Sequence, residues 1–332
     1  MENFKAYRVF NDDNKIHGRI TDLTVGDLMP GEVVFKNAYS GVNYKDALAA
    51  TGVGGKVIRK YPLVGGIDAA GVVVSSTDAR FKAGDEVICT SYDFGVAHDG
   101  GFAQVCRVPA NWVVPLPHGL SLFEAMTLGT AGYTAGLAIE LLEINGLAPV
   151  EGDKGKVLVN GATGGVASLA IDMLAGKGYA VTAVTGKDNE HAFLRKLGAQ
   201  EILARGAMDM GTRPLEKSQW AAAFDSVGGD QLSWLTRTMN QNGLIASFGN
   251  AGGIELKTNV LPFILRGVRL IGVDSAATPM PLRRKVWQRL ASDLKPRHLA
   301  DIAKTITLDD LGATFEQILK GGMRGRAVVR LS

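Results

Sequence analysis

Cysteine is nearly missing from this 332-residue chain: there are two, Cys89 and Cys106, too few for the four-cysteine cage of a structural zinc. Each sits in an apolar or strand-like run, EVICTS and AQVCRV, so buried free thiols in a reducing compartment are expected rather than a disulfide. Histidine is also sparse. His17, His98, His118, His191 and His298 are scattered without the spacing of metal ligands. A charge of one sign is missing as well: a formal net charge of +3 is too small and dispersed for the basic footprint that a polynucleotide partner needs. No apolar run approaches the ~20 residues that span a bilayer. The opening MENFKAYRVFNDD has no signal-peptide core, so a cytosolic protein with no membrane partner is expected. Neither a G-x-S-x-G turn nor a triad-like placement of Ser, His and Asp offers acyl-transfer chemistry.

Glycine is what the chain has in excess, with 42 residues, and glycine serves where backbone turns tightly or meets a ligand closely. The length suits two domains. Residues 1–125 alternate short β-like runs (EVVFKNAYSGVN, AAGVVVSS, DEVICTSY) with Gly, Pro and Asp turns, the texture of a β-rich domain. Residues 126–267 repeat an apolar strand, a glycine turn and an amphipathic helix, as in KVLVNG followed by GVASLAIDMLAGKG. Such βα units predict a doubly wound parallel sheet, and so an α/β fold. Residues 268–332 hold two helical stretches and a closing strand, RAVVRLS, expected to complete the first domain.

The strongest local signal is KVLVNGATGGVASLAIDMLAGKG. A strand runs into a glycine turn that opens a helix, whose unpaired N–H groups and dipole suit a pyrophosphate. Against the G-x-G-x-x-G/A fingerprint it reads Ala162-x-Gly164-x-x-Ala167, so Thr163, Gly164, Gly165 and Val166 are candidate cofactor residues. An ordinary βα turn with small residues is the alternative. The second strand, YAVTAV, ends in Thr185, Gly186 and Lys187, where an NAD enzyme usually carries an acid. A hydroxyl, an N–H and an ammonium favour a 2′-phosphate, so NADPH is expected over NADH, unless Lys187 is only a solvated lysine.

AYSGVNYKDALA, YPLVGGIDAAGVV, RFKAGDEV, LGTAGYTA, GATGGVAS, FDSVGGDQL, LPFILRGVRLIGVDS and GRAVV together resemble the zinc-free quinone-oxidoreductase group of medium-chain dehydrogenases/reductases. Within it they are most similar to the YhdH/YhfP branch with its acrylyl-CoA reductases. The resemblance covers nearly the whole chain and implies a GroES-like β-rich catalytic domain plus a Rossmann domain. It implies that SGVNYKD, with no Cys or His where alcohol-dehydrogenase relatives place a zinc ligand, lines a cleft facing the nicotinamide. Asn43, Tyr44 and Asp46 become the catalytic candidates, although Asp46 is also placed to cap the helix that begins there. Tyr44 is expected to contact NADPH, or to orient or protonate substrate. The same resemblance puts Arg205, Phe248, Asn250, Ile264 and Arg326 beside the cofactor, and the family precedent is a homodimer. Three readings of function follow: NADPH-dependent reduction of an enoyl-CoA, with Lys56, Arg59 and Lys60 as a rim for CoA phosphates or merely a solvated loop; reduction of a quinone or enone; and an NADPH-binding sensor with little turnover.

Overall fold

Alternating short strands and glycine turns lead to one β-rich unit, and the repeated βα rhythm leads to another. The computed structural model describes residues 3–332 apart from 54, 56 and 150–154; Lys56 of the basic stretch lies outside the described residues. The first compact unit comprises Met1–Ala131, Ser275–Ala291 and Leu299–Ser332, the second Gly132–Asp274 and Ser292–His298.

In the first unit, Phe4–Asp12 pairs antiparallel with Lys15–Leu23 and with Leu63–Val64. A larger sheet runs in the order Ala303–Ile306, Arg326–Arg330, Val33–Gly41, Asp68–Ser76, Glu86–Thr90, Val113–Pro115, and Val105–Val108 also pairs with Val33–Gly41. The closing strand puts Val328 opposite Gly41 and so brings the C-terminal end back to the first unit. Beneath this sheet pack Val33, Phe35, Ala69, Val73 and Val87 with Cys89 and Cys106. Both cysteines are free, and burial pushes both thiols up, away from the reactive thiolate.

Among the described residues the second unit holds six strands in the order Glu201–Ala204, Ala180–Thr185, Lys156–Val159, Trp220–Asp225, Met239–Ser247, Arg269–Gly272. Every pairing is parallel. Counted along the chain this is the order 3-2-1-4-5-6 of dinucleotide-binding sheets. KVLV and WAAAFD are buried along almost their whole length, as strands covered on both faces must be. Helix Gly165–Gly176 buries everything from Ala167 to Leu174. The sixth strand starts beyond 267, the end read from the sequence, because Arg269 pairs with Leu244. A four-residue edge strand with exposed ends leaves little apolar pattern to read.

Candidate active site

Strand Lys156–Val159 ends at Asn160, whose amide is clamped on both sides. Its Nδ2 donates to Asp225 Oδ1 at 2.6 Å, and its Oδ1 accepts the Ser226 N–H at 2.7 Å. Asp225 is fully buried and also accepts the Gly228 N–H at 3.1 Å and the Ser247 hydroxyl at 3.2 Å. One carboxylate thus ties the C-terminal ends of three neighbouring strands at the point where the strand order reverses, the place where open α/β sheets bind ligands. Gly161 follows at φ 59°, and an added Cβ would overlap Ser226 Oγ. Gly161→Ala should therefore cost about 1–3 kcal/mol of stability, readable in urea unfolding of the purified protein.

At Gly164, before helix Gly165–Gly176, an added Cβ would meet only Gly161 O, at 3.2 Å. Packing alone barely constrains this position, whereas a pyrophosphate resting on the helix start needs a bare backbone there. Thr163 is buried, while Gly164, Gly165 and Val166 are exposed or half-buried. Thr185 closes the second strand and its Oγ1 accepts the Lys187 N–H at 3.0 Å. The Arg205 guanidinium lies over Gly186, so close that a Cβ there would sit 2.9 Å from Nη2. Two strand ends therefore bring together Thr185, Gly186, Lys187 and Arg205. The nearest acid in sequence, Asp188, is 86% exposed and 3.7 Å from His191. Phe248 donates its N–H to Asp225 O at 3.0 Å, and Gly252 donates to Val227 O at 2.7 Å. Those bonds lay the loop carrying Asn250 over the SVGG turn. Ile264 is 69% exposed on the short helix Leu261–Arg266, whose Phe263 packs against the core.

The catalytic candidates lie in the first unit, and only one of them faces outward. Tyr44, the first residue of helix Tyr44–Thr51, is 51% exposed. Asn43 and Asp46, expected beside the substrate, are instead turned inward. Asp46 Oδ2 accepts the Asn43 N–H at 2.7 Å and its Oδ1 accepts the Ile67 N–H at 3.0 Å. Its acid caps the helix, the alternative that the spacing left open. Asn43 Nδ2 donates to Asp68 Oδ2 at 2.8 Å and its Oδ1 accepts from Arg326 Nη1 at 3.1 Å. Arg326, expected at a cofactor phosphate, is buried too. Its Nη1 also donates to Val42 O at 2.7 Å, its Nε donates to Thr127 O at 3.2 Å, and its Nη2 is 3.6 Å from Asp68 Oδ2. That guanidinium holds the interior of the first unit together and presents no face to a phosphate.

Asp68 is the centre of this cluster. Helix Leu122–Ile144 is kinked at Gly129, at φ 48° and ψ −152°, where a Cβ would overlap the Asp68 carboxylate. The kink aims the Thr130 N–H at Asp68 Oδ2, 2.8 Å away, and brings the Thr130 hydroxyl to 2.5 Å from Oδ1. SGVNYKD, GIDAAG, LGTAG and GRAVV thus converge on one buried group. Burial, with Asp68 close by, raises Asp46 to about 7. Burial also raises Asp68, against the pull of Arg326. The unfolded chain releases the Asp46 proton near the ordinary carboxyl value of about 4, so between there and about 7 the folded state binds more protons, and stability falls as pH rises through that window. Tm should be lower at pH 7.5 than at pH 5, by a margin that shrinks in Asp46→Asn.

Asp68, Thr130, Asn160 and Asp225 were not singled out from sequence. The signal for Asp68 was a lone acid inside the apolar run GIDAAGVVV, since a buried acid needs partners. Among the described residues no group of three or more His, Cys, Asp and Glu side chains is placed to hold a metal ion, and no helix is long and apolar enough to cross a membrane.

Residues 29–118 match the alcohol dehydrogenase GroES-like domain and residues 165–292 the zinc-binding dehydrogenase family, the pairing of domains that defines medium-chain dehydrogenases/reductases. The putative quinone oxidoreductase YhfP of Bacillus subtilis is 48% identical over 322 residues, 96% of each chain. The acrylyl-CoA reductase AcuI of Ruegeria pomeroyi is 45% identical over 329 residues, 98% of each chain. Escherichia coli K-12 YhdH with bound NADPH matches with a TM-score of 0.94 at 42% identity, over 98% of this chain and 100% of the other. Bacillus subtilis yhfP with NAD bound matches with a TM-score of 0.96 at 45% identity over 100% of both. The chain belongs to the YhdH/YhfP family of medium-chain oxidoreductases.

Proposed function

We propose that this protein reduces the activated carbon–carbon double bond of an enoyl thioester such as acrylyl-CoA, with NADPH as the reductant and without zinc. The observation that carries the coenzyme is the acid-free cluster of Thr185, Gly186, Lys187 and Arg205, matched to a 2′-phosphate, and it favours NADPH although one relative is solved with NAD. The thioester reading is supported by the AcuI relative, alike over 98% of each chain. For zinc-free chemistry the support is the donor set: Asn43 stands in the SGVNYKD motif without a neighbouring Cys or His, and Asp46 and Asp68 already satisfy backbone N–H groups, Asn43 and Arg326.

Bound NADPH supplies the hydride for the β carbon. Gly164, Gly165 and Val166 would hold the pyrophosphate on backbone N–H groups, and Lys187 and Arg205 would hold the 2′-phosphate. Tyr44 orients the acyl chain. Its hydroxyl makes no hydrogen bond among the described residues, so Tyr44→Phe should raise KM for the thioester several-fold with Tm unchanged.

The quinone reading is favoured by the name of the YhfP relative. NADPH oxidation measured at 340 nm with acrylyl-CoA, with a benzoquinone, and with NADH as control decides among the three readings. Faster thioester turnover with NADPH supports the proposal. Quinone turnover alone, indifferent to free CoA, moves the assignment to the second reading. Binding of NADPH with turnover of neither supports a sensor.

A further inference from the structure

The cluster around Asp68 includes a half-buried residue, Thr130. Thr130 Oγ1 lies 2.5 Å from Asp68 Oδ1 and 3.0 Å from Ser91 Oγ. Asp68 and Ser91 are buried, at 0% and 4% exposed, whereas Thr130 is partly exposed. A hydroxyl carries one hydrogen. While Asp68 is ionised, that hydrogen of Thr130 goes to the carboxylate, and Ser91 is the donor to Thr130. Once Asp68 is protonated, the carboxyl donates to Thr130 Oγ1, and the Thr130 hydrogen is no longer committed to the carboxylate. Protonation of a fully buried acid thereby changes the hydrogen bonding of a hydroxyl on a half-buried residue.

Ser91 is held for this contact at some cost. Ser91 and Tyr92 have φ values of 66° and 52°, in the left-handed region that strains a non-glycine residue. Their neighbours impose it. Ser91 N–H donates to Ile67 O at 2.8 Å and Tyr92 N–H to Ala276 O at 3.1 Å. The buried Arg283 donates from Nε to Tyr92 Oη at 3.1 Å and lies over the ring, 4.3 Å from its centroid. Glycine would relieve the strain at position 91. A serine there supplies a hydroxyl, and that hydroxyl meets Thr130.

We propose that Thr130 is the port through which Asp68 protonates the reduced substrate, with Ser91 as the residue that positions the Thr130 hydroxyl. The inference rests on the reductase reading above. After hydride reaches the β carbon, the electron pair of the substrate enolate takes the Thr130 proton at the α carbon. A C–H bond forms and the Thr130 O–H bond breaks, while Thr130 Oγ1 takes the proton of Asp68. The carboxylate left behind faces Asn43 Nδ2 and the Thr130 N–H, each at 2.8 Å, and Arg326 Nη2 at 3.6 Å. Water returns the proton by the reverse route once product has left. Burial raises Asp68 above the ordinary carboxyl range, against the pull of Arg326.

Three variants test this, each followed by kcat, KM, Tm, a pH profile and the infrared carbonyl band of protonated Asp68, identified by its loss in Asp68→Asn. Thr130→Val should lower kcat about 100-fold or more, the range for a lost general acid, and should abolish the alkaline fall in kcat while the Asp68 band persists. Thr130→Ser keeps the hydroxyl and should stay within about fivefold of wild type. Ser91→Gly suits the left-handed backbone, so Tm should hold or rise while kcat drops about tenfold at nearly constant KM. Equal losses in Thr130→Val and Thr130→Ser, or an unchanged kcat in Thr130→Val, would overturn the proposal. If wild type reduces benzoquinone and no thioester, the substrate reading fails, and the same comparison on the quinone, which also takes up protons, still decides the port. Turnover of neither overturns both.

Discussion

Arg326→Met should lower the unfolding free energy by about 3–5 kcal/mol, the usual loss when one partner of a buried ion pair is removed. Methionine approximates the volume, so the loss comes from charge and hydrogen bonding rather than from a cavity. The guanidinium reaches Val42 O, Asn43 Oδ1 and Thr127 O and faces Asp68 Oδ2 at 3.6 Å. Without it three acceptors lose a donor, and a fully buried carboxylate loses its counter-charge. The penalty should grow with pH, because burial raises Asp68 and its ionised form is the one that needs Arg326. Arg326→Lys keeps the charge without the planar fork and should recover only part of the loss. Arg326→Met combined with Asp68→Asn should recover more, since no buried charge is then stranded. Urea unfolding at pH 5 and pH 8 reads all of this. A loss under about 1 kcal/mol at pH 8 would show that the charge does not hold the cluster.

The same cluster shows where sequence reasoning stops. SGVNYKD was legible as a functional motif, but the motif does not say which side chains turn inward. Asn43 and Asp46 stand three apart across a helix start, the spacing of a cap, and once both face inward Tyr44 is left at the surface. Arg326 was legible as a special arginine by its place in GRAVV, and its residue type suggested phosphate. Pairing of the last strand with Val33–Gly41 carries it into the interior instead, and strand pairing between distant segments is not written in local pattern. Thr130 was hidden because LGTAGYTA carries only the family resemblance, while the break at Gly129 depends on the carboxylate it makes room for. The nucleotide unit was more transparent. Its turn chemistry is local, so Gly161 to Ala167 and Thr185 to Lys187 could be placed from strand, turn and helix signals alone.

Arg205→Ala should raise KM for NADPH by about 10–100-fold and leave KM for NADH within about twofold. The range follows from the 1.5–3 kcal/mol of a hydrogen bond to a charged group, with 1.4 kcal/mol for each factor of ten. Arg205 is exposed, so its contribution belongs toward the lower end and should shrink as salt is raised. Lys187→Ala should act in the same direction with a smaller effect, because an ammonium meets a phosphate as a point charge and lacks the fork. Both cations would contact one group, so the double variant should fall short of the product of the two. Gly186→Asp is the sharper test. Its Cβ would come within 2.9 Å of Arg205 Nη2, which moves the guanidinium aside, and the new carboxylate repels a 2′-phosphate while it can accept from the ribose hydroxyls of NADH. The ratio of kcat/KM values for NADPH and NADH should then invert. Equal losses for both coenzymes in Arg205→Ala would assign the arginine to the adenine ring instead, stacked rather than paired, and would leave Lys187 to discriminate between the two coenzymes.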